Sequence, residues 1–158
     1  MLCRRAQPRD FLAVADLDRR AWALNRHSEF IPDGEHVWRL WCEHALTFVA
    51  LDDDDGGAAD GALLGAIVAF PCADGRYCVH KAFVEQDRRG GGVGTALFAS
   101  LLAELDAQGA DAFLTVDPVN EAGIRLYERW GFTERQFVPG YYRPAEDRFV
   151  LTRRAGRA

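Results

Sequence analysis

Phe83-Val-Glu-Gln-Asp-Arg-Arg-Gly-Gly-Gly-Val-Gly-Thr-Ala-Leu97 is the stretch that decides how this chain folds. It reads as the end of a strand, a tight turn with glycines at 90, 91, 92 and 94, and the start of a helix running to about Gln108. Val93, Leu97, Leu101 and Leu105 form that helix's apolar stripe. The first turn of any helix leaves amide N–H groups without partners inside it, at the positive end of the dipole. An anion fits there, and glycines let phosphate oxygens approach the backbone without meeting a Cβ. Arg88 and Arg89 add fixed positive charge, and Thr95 offers a hydroxyl.

Two familiar phosphate patterns fail. A P-loop needs lysine directly after its last glycine, whereas Thr95 follows Gly94 and the sole lysine, Lys81, precedes the turn. A dinucleotide fingerprint counted from Gly90 puts its third glycine on Thr95, and counted from Gly91 puts its second on Val93. Asp117 does follow the next strand, where a ribose-binding acid would stand. A Rossmann-like nucleotide binder therefore stays open, as does a turn without a ligand.

Downstream runs Asn120-Glu-Ala-Gly-Ile-Arg-Leu-Tyr-Glu-Arg-Trp-Gly-Phe132. Asn120, Ile124 and Tyr127 fall at i, i+4 and i+7 on one helical face, with amide and phenol about 10 Å apart along the axis. Asn120 can cap the helix, and Gly131 can end it in a left-handed turn. Taken alone, Tyr127 also reads as a core tyrosine beside Trp130.

Together the two stretches resemble the GNAT superfamily of acyl-CoA-dependent N-acyltransferases. Arg89, Gly92 and Gly94 match [QR]xxGx[GA], and Val84 to Gly94 follow V-x-P-x-x-R-G-x-G-x-G with Gln86 in place of proline. Asn120, Tyr127, Gly131 and Phe132 match N-x-x-A-x-x-x-Y-x-x-x-G-F, with Gly123 where alanine is usual. The resemblance covers Val79 to Phe132. It implies that the backbone of Arg89, Gly90, Gly91, Gly92, Val93, Gly94 and Thr95 holds the pyrophosphate of coenzyme A. Phe83, Val84, Arg88, Asn120 and Tyr127 are its further expected contacts.

The implied reaction is direct transfer of an acetyl group from acetyl-CoA to a primary amine of a small molecule or peptide. A backbone N–H near Phe83 or Val84 would meet the developing oxyanion, and Tyr127 would protonate the departing thiolate. His80, four residues before Val84 and so on the same strand face, is the expected base, its imidazole suited to neutral pH. His27 and Glu29 are alternatives for that role. Trp22, His27, Glu29, Phe30 and Tyr142 are candidate acceptor contacts, with Trp38 and Tyr141 as further aromatics. A non-catalytic acyl-CoA-binding or sensing domain of the same fold is the alternative. It would keep the glycine turn and need neither Tyr127 nor a base.

The rest of the chain agrees with this frame. Its 158 residues, 49% apolar and 27% charged, suit one soluble globular domain spanning residues 1–158. No apolar run approaches the roughly 20 residues of a membrane-spanning helix. Charges in MLCRRAQPRDF stand where a secretory segment has its apolar stretch, so the expected location is cytoplasmic. A net charge of −5 argues against nucleic acid as partner. The acidic excess lies in Met1–Val79, much of it in Asp52 to Asp55, which reads as a solvated loop tip between two strands.

Cys3, Cys42, Cys72 and Cys78 are too scattered for close-spaced zinc ligands and read as reduced, buried side chains. No metal is expected. Helices are predicted from Pro8 to Trp22 and from Gly34 to His44, the second turning Val37, Leu40 and Trp41 inward. Strands are predicted at Leu2–Arg5, Leu46–Leu51, Leu63–Phe70, Arg76–Val84, Ala112–Val116, Phe132–Val138 and Arg148–Thr152. The alternation predicts an α/β (α+β) architecture, a mixed central sheet of about six to seven strands flanked by about four helices. Exposed C-terminal strands are compatible with a homodimer.

Overall fold

The computed structural model describes residues 1–24, 28, 33–52 and 61–156. His27, Glu29, Phe30 and the acidic run beyond Asp52 lie outside the described residues. In chain order the elements are β1 (Leu2–Arg5), α1 (Phe11–Trp22), α2 (Glu35–His44), β2 (Leu46–Leu51), β3 (Leu63–Pro71) and β4 (Tyr77–Val84). They continue with α3 (Val93–Ala107), β5 (Ala112–Val116), α4 (Glu121–Arg129), β6 (Glu134–Val138) and β7 (Arg148–Arg153). The seven strands form one mixed sheet in the order β1-β2-β3-β4-β5-β7-β6. None of the described helices is long and apolar enough to cross a membrane.

The chain divides into two compact units, Met1–Phe70 with Lys81–Ala103, and Pro71–His80 with Glu104–Ala158. In the first, β2 is buried along its whole length and β3 from Leu64 to Ala69, as expected of strands covered on both faces. Ala66 and Val68 join Val14, Leu17, Trp38 and Cys42 in the core beneath α1 and α2. Gly65 alternates to the other face, where a Cβ would stand 2.8 Å from the Phe83 carbonyl and 3.1 Å from Leu97 Cδ1. Its missing side chain lets α3 approach the sheet. The expected stripe of α3 is in place, with Val93, Leu97, Leu101 and Leu105 all buried.

The face of α2 differs from the expectation. Trp38 and Cys42 point inward and Leu40 is 58% exposed, while Trp41, as expected, packs half-buried against the core and Val37 is half-buried. The larger apolar surface wins: Trp38 packs edge-on against Trp41 and Phe83, and its indole N–H donates to Asp18 Oδ2 at 2.9 Å.

In the second unit, β5 pairs with β4 in parallel at Tyr77–Ala112 and Cys78–Phe113. β7 runs antiparallel to both β5 and β6, so it lies between them. The expected pairing of the two last strands holds. Phe132, expected to open β6, instead precedes it and is fully buried. Arg153 fastens this unit, donating twice to Asp106 (2.7 and 2.8 Å) and once to the Trp130 carbonyl (3.1 Å).

Candidate active site

After β4 the chain makes one tight turn at Gln86–Arg88 and enters the glycine segment. Gly90 and Gly92 have φ of +81° and +83°, a region that side chains with a Cβ rarely adopt. A Cβ built on either meets no atom within 4 Å, so the backbone there borders open space. The Ala96 N–H bonds back to the Gly92 carbonyl at 3.0 Å. Val93, Gly94 and Thr95 precede it and carry the amides that lead the helix. Donors, dipole and free approach together make a cradle of the kind a diphosphate needs.

Both arginines of the turn are held. Arg88 donates to Asp52 Oδ2 at 2.8 Å, tying the turn to the end of β2, and Arg89 Nε reaches the Val84 carbonyl at 3.4 Å. The positive charge expected of Arg88 beside an anion is thus paired with a carboxylate.

On β4, burial alternates. Phe83 is buried, Val84 is half-buried, and His80 is exposed. His80 shares its strand face with Val84, as expected, and is opposite to Lys81 and Phe83. Lys81 carries no motif that marks it in the sequence. Its Nζ stands 2.9 and 2.8 Å from the two Asp18 oxygens and 2.7 Å from Asp33 Oδ2. The Trp22 ring lies 5.2 Å from it. The available signal was Asp18 itself, an acid four residues after Val14 on the apolar stripe of α1.

On α4, Asn120 caps the helix by accepting the Gly123 N–H at 3.0 Å. Gly123, where alanine is usual, leaves room for that cap: a Cβ would stand 2.5 Å from Asn120 Nδ2. Asn120→Ala is expected to cost about 1 kcal/mol of stability in urea unfolding, with Asn120→Ser losing far less. The Tyr127 ring packs edge-on against Phe132 at 6.4 Å. Burial pushes its phenol above the ordinary value, so it stays protonated at neutral pH.

Two of the expected acceptor residues, Trp22 and Tyr142, are among those described. Trp22 is half-buried beside Lys81. Tyr142 is exposed, its hydroxyl 2.9 Å from Thr115 Oγ1 and its ring 4.7 Å from that of Tyr141. Trp38 has no exposed surface and is a core residue. A cavity of about 710 Å³ lies between the last turns of α1 and the end of β4 with the turn after it. Leu17, Ala21, Ala23, Leu24 and Val84 supply carbon to its wall, and Arg20, Glu85, Asp87 and Arg89 supply charge. An ion pair joins Arg20 to Glu85.

No disulfide joins Cys3, Cys42, Cys72 or Cys78. Burial pushes the Cys42 and Cys78 thiols up to about 12, so neither is a thiolate at neutral pH. Among the described residues no group of metal-ligating side chains could hold an ion.

Residues 11–132 match the model of the "Acetyltransferase (GNAT) family". An uncharacterized N-acetyltransferase of Methanocaldococcus jannaschii is 36% identical over 66 residues, which are 41% of this chain and 29% of that protein. The chain thus spans well under half the length of this curated relative. The ribosomal-protein-S18-alanine N-acetyltransferase of Escherichia coli superposes with a TM-score of 0.77 at 23% identity, covering 99% of this chain and 95% of that one. The diaminobutyrate acetyltransferase of Paenibacillus lautus, solved with its substrate and coenzyme A, superposes with a TM-score of 0.71 at 20% identity, covering 95% and 93%.

Proposed function

The chain belongs to the acetyltransferase (GNAT) family, and from that premise we propose that residues 1–158 form one acetyltransferase domain. It transfers an acetyl group from acetyl-CoA to a primary amine of a small molecule or peptide. The observation that carries this reading is the open glycine cradle, with Gly90 and Gly92 at positive φ ahead of the α3 amides. Coenzyme A fits it by charge and by the space left where side chains would stand. When bound, acetyl-CoA supplies a thioester carbonyl activated for attack.

The protein's own residues divide the work. Amides from Arg89 to Thr95 hold the diphosphate, and Asn120 offers its side chain as a further polar contact. A backbone N–H of Phe83 or Val84 stabilises the negative charge that develops on the carbonyl oxygen. The amine nitrogen bonds to the carbonyl carbon as the C–S bond breaks, with no covalent enzyme adduct. Tyr127, kept protonated by burial, gives its proton to the departing sulfur, and the second proton that the nitrogen loses as the amide forms restores the phenol through water. His80 takes the proton of the incoming ammonium, through water, since its imidazole is exposed. Trp22 and Tyr142, with His27, Glu29 and Phe30, which follow α1 in the sequence, receive the acceptor.

Thiol release from acetyl-CoA across a panel of amines and peptides tests the activity. Tight coenzyme A binding without acceptor-dependent release would favour a sensor instead. For the base, His80→Gln is expected to lower kcat/KM about 100-fold at neutral pH and to change the pH profile of the rate. An unchanged pH profile removes His80 from the mechanism. An intracellular donor places the reaction in the cytoplasm. Edge strand β6, with Phe137 51% exposed, is the surface for a homodimer, which sedimentation would detect.

A further inference from the structure

We propose that the cavity between α1 and the end of β4 is an acyl pocket, admitting an uncharged acyl chain longer than acetyl. The inference rests on the acyl-CoA reading above and extends it to the donor's chain length. Val84 belongs both to the cavity wall and to the pair of residues whose amide meets the thioester oxygen. The cavity therefore opens beside the atom from which an acyl chain grows. At about 710 Å³ it is in the range that houses a whole small ligand, and a single methyl group would leave most of its wall uncovered.

The chemistry of the wall separates the three groups that might enter. The pantetheine arm is a chain of amides that seeks N–H and C=O partners; among the described wall residues Gln86 is the one uncharged polar side chain, whereas Leu17 and Ala21 of α1 and Leu24 just beyond it are all carbon. A cationic amine would seek an uncommitted carboxylate. Among the described residues the rim's two acids, Glu85 and Asp87, are matched by Arg20 and Arg89, and Glu85 is already bound by Arg20. That balance also gives no net attraction to an acyl group carrying its own carboxylate, such as succinyl. Apolar carbon inside a charge-neutral rim suits a saturated chain. Leu24, 57% exposed, is apolar surface that such a chain would cover.

Calorimetric titration with coenzyme A, acetyl-CoA, butanoyl-CoA, hexanoyl-CoA and succinyl-CoA tests this without relying on turnover. Each buried methylene is worth up to about fourfold in affinity, so hexanoyl-CoA should bind at least about tenfold tighter than acetyl-CoA. Succinyl-CoA should gain nothing. In Ala21→Phe, which fills the cavity from α1, the hexanoyl advantage should shrink to below about threefold. Ala21 also packs against the core, so Ala23→Phe, at the exposed end of the helix, provides a second filling variant. Equal affinity for all chain lengths in the unmodified protein overturns the pocket. So does a loss in both variants that is the same for free coenzyme A as for hexanoyl-CoA, which would assign the cavity to the pantetheine arm. Failure of the unmodified protein to bind free coenzyme A would instead refute the acyl-CoA reading, and the pocket with it.

Discussion

Gly92→Val is expected to weaken coenzyme A binding by about 100-fold or more, equivalent to about 2.7 kcal/mol. Two effects add. Gly92 sits at φ +83°, which a β-branched residue reaches only at a cost of about 1–3 kcal/mol. The new side chain also stands in the open space of the cradle, and each hydrogen bond to a charged group lost there is worth about 1.5–3 kcal/mol. Gly75→Val is the matched control. Gly75 has φ +85° and equally open surroundings, but it lies in the hairpin between β3 and β4, away from the glycine segment. That variant should lose stability in thermal unfolding while keeping its coenzyme A affinity. Wild-type affinity in Gly92→Val would end the case for the cradle.

Tyr127→Phe should reduce kcat for acetyl transfer by about 100- to 1,000-fold, the range of a positioned general acid, while coenzyme A affinity changes a few-fold at most. The ring and its contact with Phe132 survive the substitution, so stability should hardly move. The pH dependence carries a signature. A general acid works in its protonated form, and burial moves the Tyr127 phenol upward from its ordinary value of about 10. Wild-type activity should therefore persist into alkaline solution and fall where the phenol ionises, above that value. The alkaline fall should vanish in Tyr127→Phe, leaving a slow rate supported by water. Retention of kcat within about threefold would show that the thiolate leaves without this proton.

Much of the architecture was legible because its signals are local. Glycine's access to positive φ belongs to one residue, so the crowded glycines at 90 to 94 announced a turn before any neighbour was known. The i, i+4, i+7 spacing of Asn120, Ile124 and Tyr127 needs no more than helix geometry, and Asn120 caps the helix as expected. The stripe of α3 is likewise a period read along the chain. By contrast, α2 keeps Trp41 against the core but is rotated so that Trp38 and Cys42 are buried and Leu40 is exposed. Val37, Leu40 and Trp41 satisfied the helical period, but the burial of Trp38 against Phe83 and Asp18 set the rotation.

The sequence by itself determined the order of strands and helices, the glycine turn, the capped helix with its phenol, and so the family. Each of these follows from the conformational freedom or periodicity of a few consecutive residues. Tertiary structure alone decided that β7 slots between β5 and β6, that Lys81 joins Asp18 and Asp33, that Arg88 binds Asp52, and that α1 leaves a cavity beside Val84. These depend on residues distant along the chain meeting at angstrom range. Which acid meets which base, and where space remains, is settled by how packed elements close on one another, and no local pattern encodes that closure.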